Sequence, residues 1–250
     1  MSAELFQYLL RLGDDRLVLG HRLSEWCGHG PILEEDIALG NIALDLIGQA
    51  TLLLTLAGQV EGKGRHEDAL AYFREAVDYR NLQLVELPRG DYAFTTLRQF
   101  LFDVFSYHQL EQLQKSANAD LAGIAAKGFK EVRYHVRHSS EWVVRMGDGT
   151  EESHSRAQNA LNELWRWTGE MFQADAVDRA MVDAGIGADV TAIEPEWKSV
   201  VSDVMTRATL DIPDVPPAMT GGRRGRHTEH LGLMLAEMQI VARSHPGAEW

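Results

Sequence analysis

The sequence predicts an all-α protein, an up-down four-helix bundle with additional C-terminal helices. Apolar residues recur at the three- and four-residue spacing of packed helices, several such segments exceed twenty residues, and none shows the sustained alternation of a strand. Glycine and proline clusters separate the segments. We expect a single ferritin-like domain over 1–250, with a bundle core over about 34–146 and a C-terminal helical extension over about 151–250.

The first two segments carry the apolar patterns of packed helices. In the first, only Arg16 interrupts an apolar stripe that precedes a Gly-His-Gly-Pro turn. The second, over about 34–60, is apolar on nearly every side, which predicts a helix in the middle of a bundle. The members of the first stripe are Leu5, Leu9, Leu12, Leu19, Leu23 and Trp26.

The later segments alternate with turns and one long loop. The segments 34–60, 66–84, 94–116 and 119–146 supply the four helices of the predicted bundle. Residues 211–226 contain three prolines and three glycines, which predicts a long irregular loop. We predict the extension's helices over about 152–172, 175–184, 194–209 and 228–244.

Composition restricts the classes of function. The formal net charge of −13 argues against non-specific binding to nucleic acid, which requires a basic surface. Cys27 is the only cysteine, so an intramolecular disulfide and a thiolate metal cluster are excluded. The absence of a long apolar run and of a basic leader predicts a cytoplasmic protein that does not enter a membrane.

Polar residues on the most apolar helices are the candidates for chemistry, because a buried polar group requires a partner. They fall on one face of each helix and bring carboxylates inward from four helices, as in ferritin-like di-iron bundles. These residues are Asn41, Asp45 and Gln49; Glu75 and Asp78; Gln99 and Asp103; and Lys127, Glu131, His135 and His138.

The pattern of a di-iron site is nevertheless incomplete. Glu131 is followed at the third position by Tyr134, with His135 one position late, and the 66–84 segment has no histidine after its carboxylates. An intact Glu-x-x-His occurs at 151–154, at a helix start and without a matching motif.

We therefore predict that four residues form a hydrogen-bonded and ionic network, with Lys127 or an arginine, where a metal site has been lost. An occupied metal site is the alternative. The four residues are Asp45, Asp103, Glu131 and His135.

Two motifs near the C-terminus allow two interpretations each. Residues 221–226, Gly-Gly-Arg-Arg-Gly-Arg, suit contacts with an anion or a partner's carboxylates, or form a solvated loop. In 227–230, His-Thr-Glu-His, the two histidines could bind a metal, but Thr228 as N-cap of the last helix is the preferred interpretation.

Several motifs together resemble the C subunits of phenylacetyl-CoA epoxidases. The resemblance runs in order from near the N-terminus to the closing Pro-Gly-Ala-Glu-Trp at 246–250. The motifs are Leu-Gly-Asp-Asp at 12–15, Glu-Trp-Cys-Gly-His at 25–29, Leu-Asp-Leu-Ile-Gly-Gln-Ala at 44–50, Lys-Glu-Val-Arg-Tyr-His at 130–135, Asn-Glu-Leu-Trp-Arg at 162–166 and His-Thr-Glu-His-Leu-Gly at 227–232.

The resemblance implies a component of an NADPH-dependent monooxygenase of aerobic phenylacetate degradation. In that family a related A subunit holds the di-iron centre, and a separate reductase holds flavin and an iron-sulfur cluster. The C subunit lacks a working metal site and pairs tightly with the A subunit. We therefore expect a non-catalytic structural chain without a cofactor or catalytic residue of its own, with phenylacetyl-CoA near the interface.

The resemblance also implies two stretches in contact with substrate. Against this, the same residues could simply pack a helix face on its neighbour. Two other functions stay open, a self-sufficient di-iron oxygenase and a stand-alone homodimeric binding protein. The implied contact residues are Asp78, Tyr79, Arg80 and Asn81, with Arg179, Ala180 and Met181.

Overall fold

The structure, a computed structural model, describes residues 2–248 and is helical without strands in that range, which confirms the all-α prediction there. Glu249 and Trp250 of the closing motif lie outside the described residues. The α-helices are α1 (Ser2–Ser24), α2 (Leu33–Glu61), α3 (Glu67–Tyr72), α4 (Gln83–Glu86), α5 (Tyr92–Leu113), α6 (Ala119–Gly147), α7 (Glu151–Trp165), α8 (Ala176–Asp183), α9 (Val190–Arg207) and α10 (Glu229–Ser244). Short 3-10 turns occupy Ala76–Asp78, Thr168–Phe172 and Gly222–Arg224.

Four long helices, α1, α2, α5 and α6, surround the centre of the molecule. α1 packs along α2, α5 packs along α6, and α2 also contacts α6. A cluster of buried apolar side chains extends from these helices into α7, α9 and α10. The ferritin-like arrangement and the domain limits stay predictions.

The prediction of one long helix over 66–84 is wrong. The chain forms α3, the Ala76–Asp78 turn and α4, joined by extended residues. The physical reason lies in α1: Asp14 Oδ2 accepts the backbone N–H of Arg80 at 2.8 Å, and Asp15 Oδ1 accepts that of Leu82 at 2.8 Å. Buried carboxylates therefore replace the carbonyl acceptors that a continuous helix would supply.

Two other helices differ from the predicted bounds. α7 ends at Trp165, and the 3-10 turn Thr168–Phe172 completes the segment predicted as one helix. α9 begins at Val190, where Asp189 caps it through the backbone N–H groups of Thr191 and Ala192. Pro195 thus lies inside the helix instead of near its start, because the N-cap precedes it by six residues.

One described helix, α2, is long and apolar enough to cross a membrane by length and composition alone. Half of its most apolar window is buried in the protein. Its one charge between Ile37 and Val60 is Asp45.

Candidate functional site

A histidine lies between two aspartates at the centre of the four long helices. His135 on α6 is fully buried, and its Nε2 lies 3.0 Å from Asp45 Oδ2 on α2. On the other side, His135 Nδ1 lies 4.0 Å from Asp103 Oδ1 on α5. Ser139 Oγ and Gln99 Nε2 donate to the Asp103 carboxylate at 2.9 Å and 2.6 Å. The structure thus joins three of the four predicted network residues.

Burial dominates the electrostatics of Asp103. Removal from water raises its pKa to about 7, against the lowering effects of His135, Ser139 and Gln99. Among residues 2–248, no lysine or arginine forms an ion pair with this carboxylate. The group therefore changes protonation state near neutral pH.

The fourth predicted residue, Glu131, belongs to a separate chain of hydrogen bonds. Gln49 Nε2 donates to Glu131 Oε2 at 2.8 Å, and Arg16 Nε donates to Gln49 Oε1 at 2.9 Å. Arg16 also donates to Ser106 Oγ on α5 at 3.2 Å. The arginine left unspecified by the sequence is Arg16, whereas Lys127 is exposed.

Arg16 is a charged group in the core. Burial lowers its pKa to about 10, and Asp15 and Tyr8 act in the opposite direction. At neutral pH the guanidinium is therefore still protonated. Its position on the apolar face of α1 matches the single interruption in that stripe of the sequence.

These core residues do not fit a di-iron centre. Such a centre requires carboxylates and histidines from four helices converging on two cations, but here α1 contributes the Arg16 guanidinium. Within the described residues, the one group of three ligand atoms lying within 4.8 Å of each other is His66, Glu67 and Asp68, at the surface and away from this centre.

Several other predicted candidates lie outside the central network. Glu75 and Asp78 do not face the core, because they form the capping box of an exposed 3-10 turn. His138 Nε2 lies 2.8 Å from Glu35 Oε2, nearer the start of α2. His154 of the Glu-x-x-His sequence has its Nδ1 2.7 Å from the carbonyl oxygen of Gly147.

A second buried polar cluster lies on α1 at Asp14 and Asp15. Arg74 pairs with Asp14 through both terminal nitrogens, and Arg223 pairs with Asp15 at 3.0 Å and 2.8 Å. The Arg223 side chain therefore lies inside the fold, and neither interpretation of the arginine loop describes it. Arg224 beside it is exposed.

The first predicted substrate stretch packs against this cluster. Asp78 is exposed and Arg80 half-buried, whereas Tyr79 and Asn81 are fully buried. The Tyr79 hydroxyl donates to the carbonyl oxygen of Ala71, and Asn81 Nδ2 donates to Glu86 Oε2 at 2.8 Å.

The second predicted stretch lies on α8, which packs on the same part of α1. Arg179 is exposed, Ala180 is half-buried and Met181 is fully buried. Arg11 Nη1 donates to Asp178 at 2.7 Å, while Arg223 donates to the carbonyl oxygens of both Arg11 and Arg80. The structure thus brings the two stretches to one region, and their contact with substrate stays a prediction.

Two glutamates that hold this region together were missed from the sequence. Glu86 accepts from Asn81 and from the backbone N–H of Thr228, and His227 Nδ1 lies 2.7 Å from it. Glu170 accepts from the backbone N–H groups of Gln83 and Gly221. Thr228 is the N-cap of α10 by position, although its side chain makes no capping bond. No spacing pattern marks either glutamate, since most of their partners are distant in sequence.

Comparisons with known proteins agree along the whole chain. The family described as "Phenylacetic acid catabolic protein" matches residues 1–250. Among curated proteins, the chain is 46% identical over 247 residues to the C subunit of the 1,2-phenylacetyl-CoA epoxidase of Escherichia coli (strain K12). The match covers 99% of each chain.

Proposed function

The chain belongs to the phenylacetic acid catabolic protein family, and we propose that it is the non-catalytic structural subunit of a phenylacetyl-CoA ring epoxidase. In this proposal it pairs with a separate catalytic subunit that holds the di-iron centre. A reductase with flavin and an iron-sulfur cluster supplies the electrons. The full-length similarity to the C subunit of such an enzyme supports the assignment to this complex.

The observation that carries the non-catalytic role is the guanidinium of Arg16 in the core. A fixed positive charge bonded to Gln49 repels a metal cation at the place where the four helices meet. Glu131 is committed to Gln49, and Asp45 and Asp103 lie on opposite sides of the His135 ring. The same geometry argues against a self-sufficient di-iron oxygenase.

The polar core has a structural role instead. Arg16 connects α1 to α2 and α5, Gln49 and Asp45 connect α2 to α6 through Glu131 and His135, and Ser139 connects α6 to α5 through Asp103. Hydrogen bonds have fixed lengths and directions, so this network sets the register between the four helices. We propose that it keeps the outer faces of these helices in the shape that pairs with the catalytic subunit.

Contact with substrate is the finer part of the proposal. The exposed Arg179 lies on α8, and the half-buried Arg80 accepts a hydrogen bond from Arg223 through its carbonyl oxygen; both side chains carry the charge suited to bind the phosphates of a CoA thioester. Tyr79, Asn81 and Met181 are fully buried and would support this region from behind.

A reconstitution experiment tests the non-catalytic role. The complex is assembled from purified subunits with the variant Asp45→Asn/Glu131→Gln, and epoxidation of phenylacetyl-CoA is measured. We expect kcat within about twofold of the wild-type value, because neither carboxylate takes part in chemistry. A loss of about 100-fold in kcat with assembly intact would contradict the proposal. A reaction without this chain gives the background rate of epoxidation.

A further inference from the structure

An apolar strip lies exposed along the outer side of α2. Leu33 is 71% exposed, Ile37 54%, Leu44 67% and Leu52 37%, all on the same side of the helix. We call these four residues the α2 strip. Asp45, the one charge between Ile37 and Val60, turns towards His135 of α6. A row of exposed apolar side chains on one helix, here interrupted by the exposed Asn41 and Thr51, usually marks a contact site.

A basic strip runs along the exposed side of α6, beside the apolar one. Its members are all exposed, and none forms an ion pair in the part of the chain that the structure describes. Within its span, Glu131 bonds inward to Gln49, and Glu141 is the one exposed acidic residue. We call Lys127, Lys130, Arg133, Arg137 and Arg145 the α6 strip. Because the protein as a whole has a net charge of −13, five exposed cations without an ion pair form an unusual part of its surface.

The two strips meet at Leu52 and Lys127. A shallow groove of about 420 Å³ between them is lined by Leu52 and Thr55 of α2 and by Asp120, Gly123 and Lys127 of α6. Tyr134, 43% exposed, extends the apolar part onto α6, with the guanidinium of Arg137 over its ring at 5.5 Å. The strips extend over about 30 Å of two adjacent helices, each about 10 Å wide, and so offer a footprint of roughly 600 Å², the lower limit of a standard interface on one partner.

The charge pattern indicates what covers this surface. In a symmetric dimer through this surface, the α6 strip of each copy would meet either the same strip or the apolar α2 strip of the other, and within the α6 span Glu141 is the one exposed carboxylate that could pair with the cations. An apolar centre beside a basic strip is complementary to a chain that presents apolar residues with acidic ones alongside. A different protein fits this surface better than a second copy.

We propose that the α2 and α6 strips form the docking surface for the catalytic subunit, which presents an acidic and apolar face to them. This inference rests on the proposed function, because it assigns the surface through which the structural subunit pairs. The α2 strip supplies apolar area that is buried in the interface. The charges of the α6 strip orient the partner and raise the rate of association.

The test measures the Kd between this chain and the purified catalytic subunit at about 50 mM and about 500 mM salt. Arg133→Glu/Arg137→Glu should raise the Kd by about tenfold or more at low salt and by less at high salt. Leu44→Asn should raise it similarly at both salt concentrations, because the lost contact is apolar. Lys115→Glu/Arg166→Glu is the matched control, with equal charge change at exposed positions outside α6, and should leave the Kd unchanged.

The outcomes separate this inference from the proposed function. If the wild type pairs and both strip variants pair equally tightly, the docking surface is wrong while the structural role stands. If the wild type does not pair at all, the proposed function fails and the inference fails with it. Self-association that the strip variants abolish, or binding of the wild type to phosphatidylglycerol vesicles that they abolish, would also overturn it.

Discussion

Two regions of the protein bury carboxylates between helices and stabilise them in different ways. On α1, Asp14 and Asp15 each receive an arginine and a backbone N–H group. In the centre, Asp103 receives only neutral donors and a histidine nitrogen at 4.0 Å. The first arrangement places a guanidinium against each carboxylate, although burial still raises the pKa of Asp15, and the second leaves a group that titrates near pH 7.

The difference shows which region determines the irregular part of the fold. The paired aspartates hold residues 79–82 in an extended path, through bonds that local sequence does not supply. The central network joins helices that would form in any case from their apolar patterns. Breaking the first region should therefore affect the fold more than altering the second.

The largest effect is expected from Arg223→Ala. The substitution leaves the fully buried Asp15 carboxylate without its guanidinium, which should lower the free energy of unfolding by about 3–5 kcal/mol. Urea denaturation gives this value. Arg224→Ala, at the exposed neighbour, should change it by less than about 0.5 kcal/mol. If Arg223→Ala also changed the free energy of unfolding by less than about 0.5 kcal/mol, Arg223 would not stabilise the fold.

Asp103→Asn should reveal the titration of the central region. Because burial raises the Asp103 pKa from 3.8 to about 7, the folded state binds a proton that the unfolded state has already released. The stability from this group is full below pH 3.8 and is lost as pH rises to about 7. Its contribution falls by up to about 1.4 kcal/mol per pH unit within that window.

The measurement is the unfolding free energy of wild type and Asp103→Asn across this pH range. As pH rises, the unfolding free energy of the variant should increase relative to that of the wild type. Parallel pH profiles would show that Asp103 does not titrate in this range.

Gly222→Ala probes the contact between the arginine loop and the 73–82 segment. A Cβ there would lie 2.1 Å from the carbonyl oxygen of Asn81, so one backbone must move. We expect destabilisation by about 1–3 kcal/mol, measured by thermal unfolding. The control, Gly232→Ala in α10, meets nothing within 4 Å and should stabilise by about 0.5–1 kcal/mol. A neutral Gly222→Ala would contradict the close packing of the loop.

Apolar periodicity was sufficient to predict the helical fold and the approximate limits of α2, α5 and α6, because these helices depend on patterns within their own segments. The same patterns located Asp45, Asp103 and His135, which the structure joins. Periodicity could not predict the break-up of 66–84, where aspartates more than sixty residues away accept the backbone bonds. Periodicity also could not reveal that Arg223 pairs with Asp15 on the distant helix α1. The sequence therefore predicted that the arginine loop lies in solvent or contacts another molecule.

The content of iron tests the central claim most directly. The chain is purified alone and in complex with its catalytic partner, and metal is measured by mass spectrometry. With Arg16 in the core we expect far less than one iron per chain for the isolated protein, and iron in the complex in proportion to the catalytic partner. About two irons per isolated chain, the content of a two-metal site, would contradict the account and make this chain a metal-binding subunit.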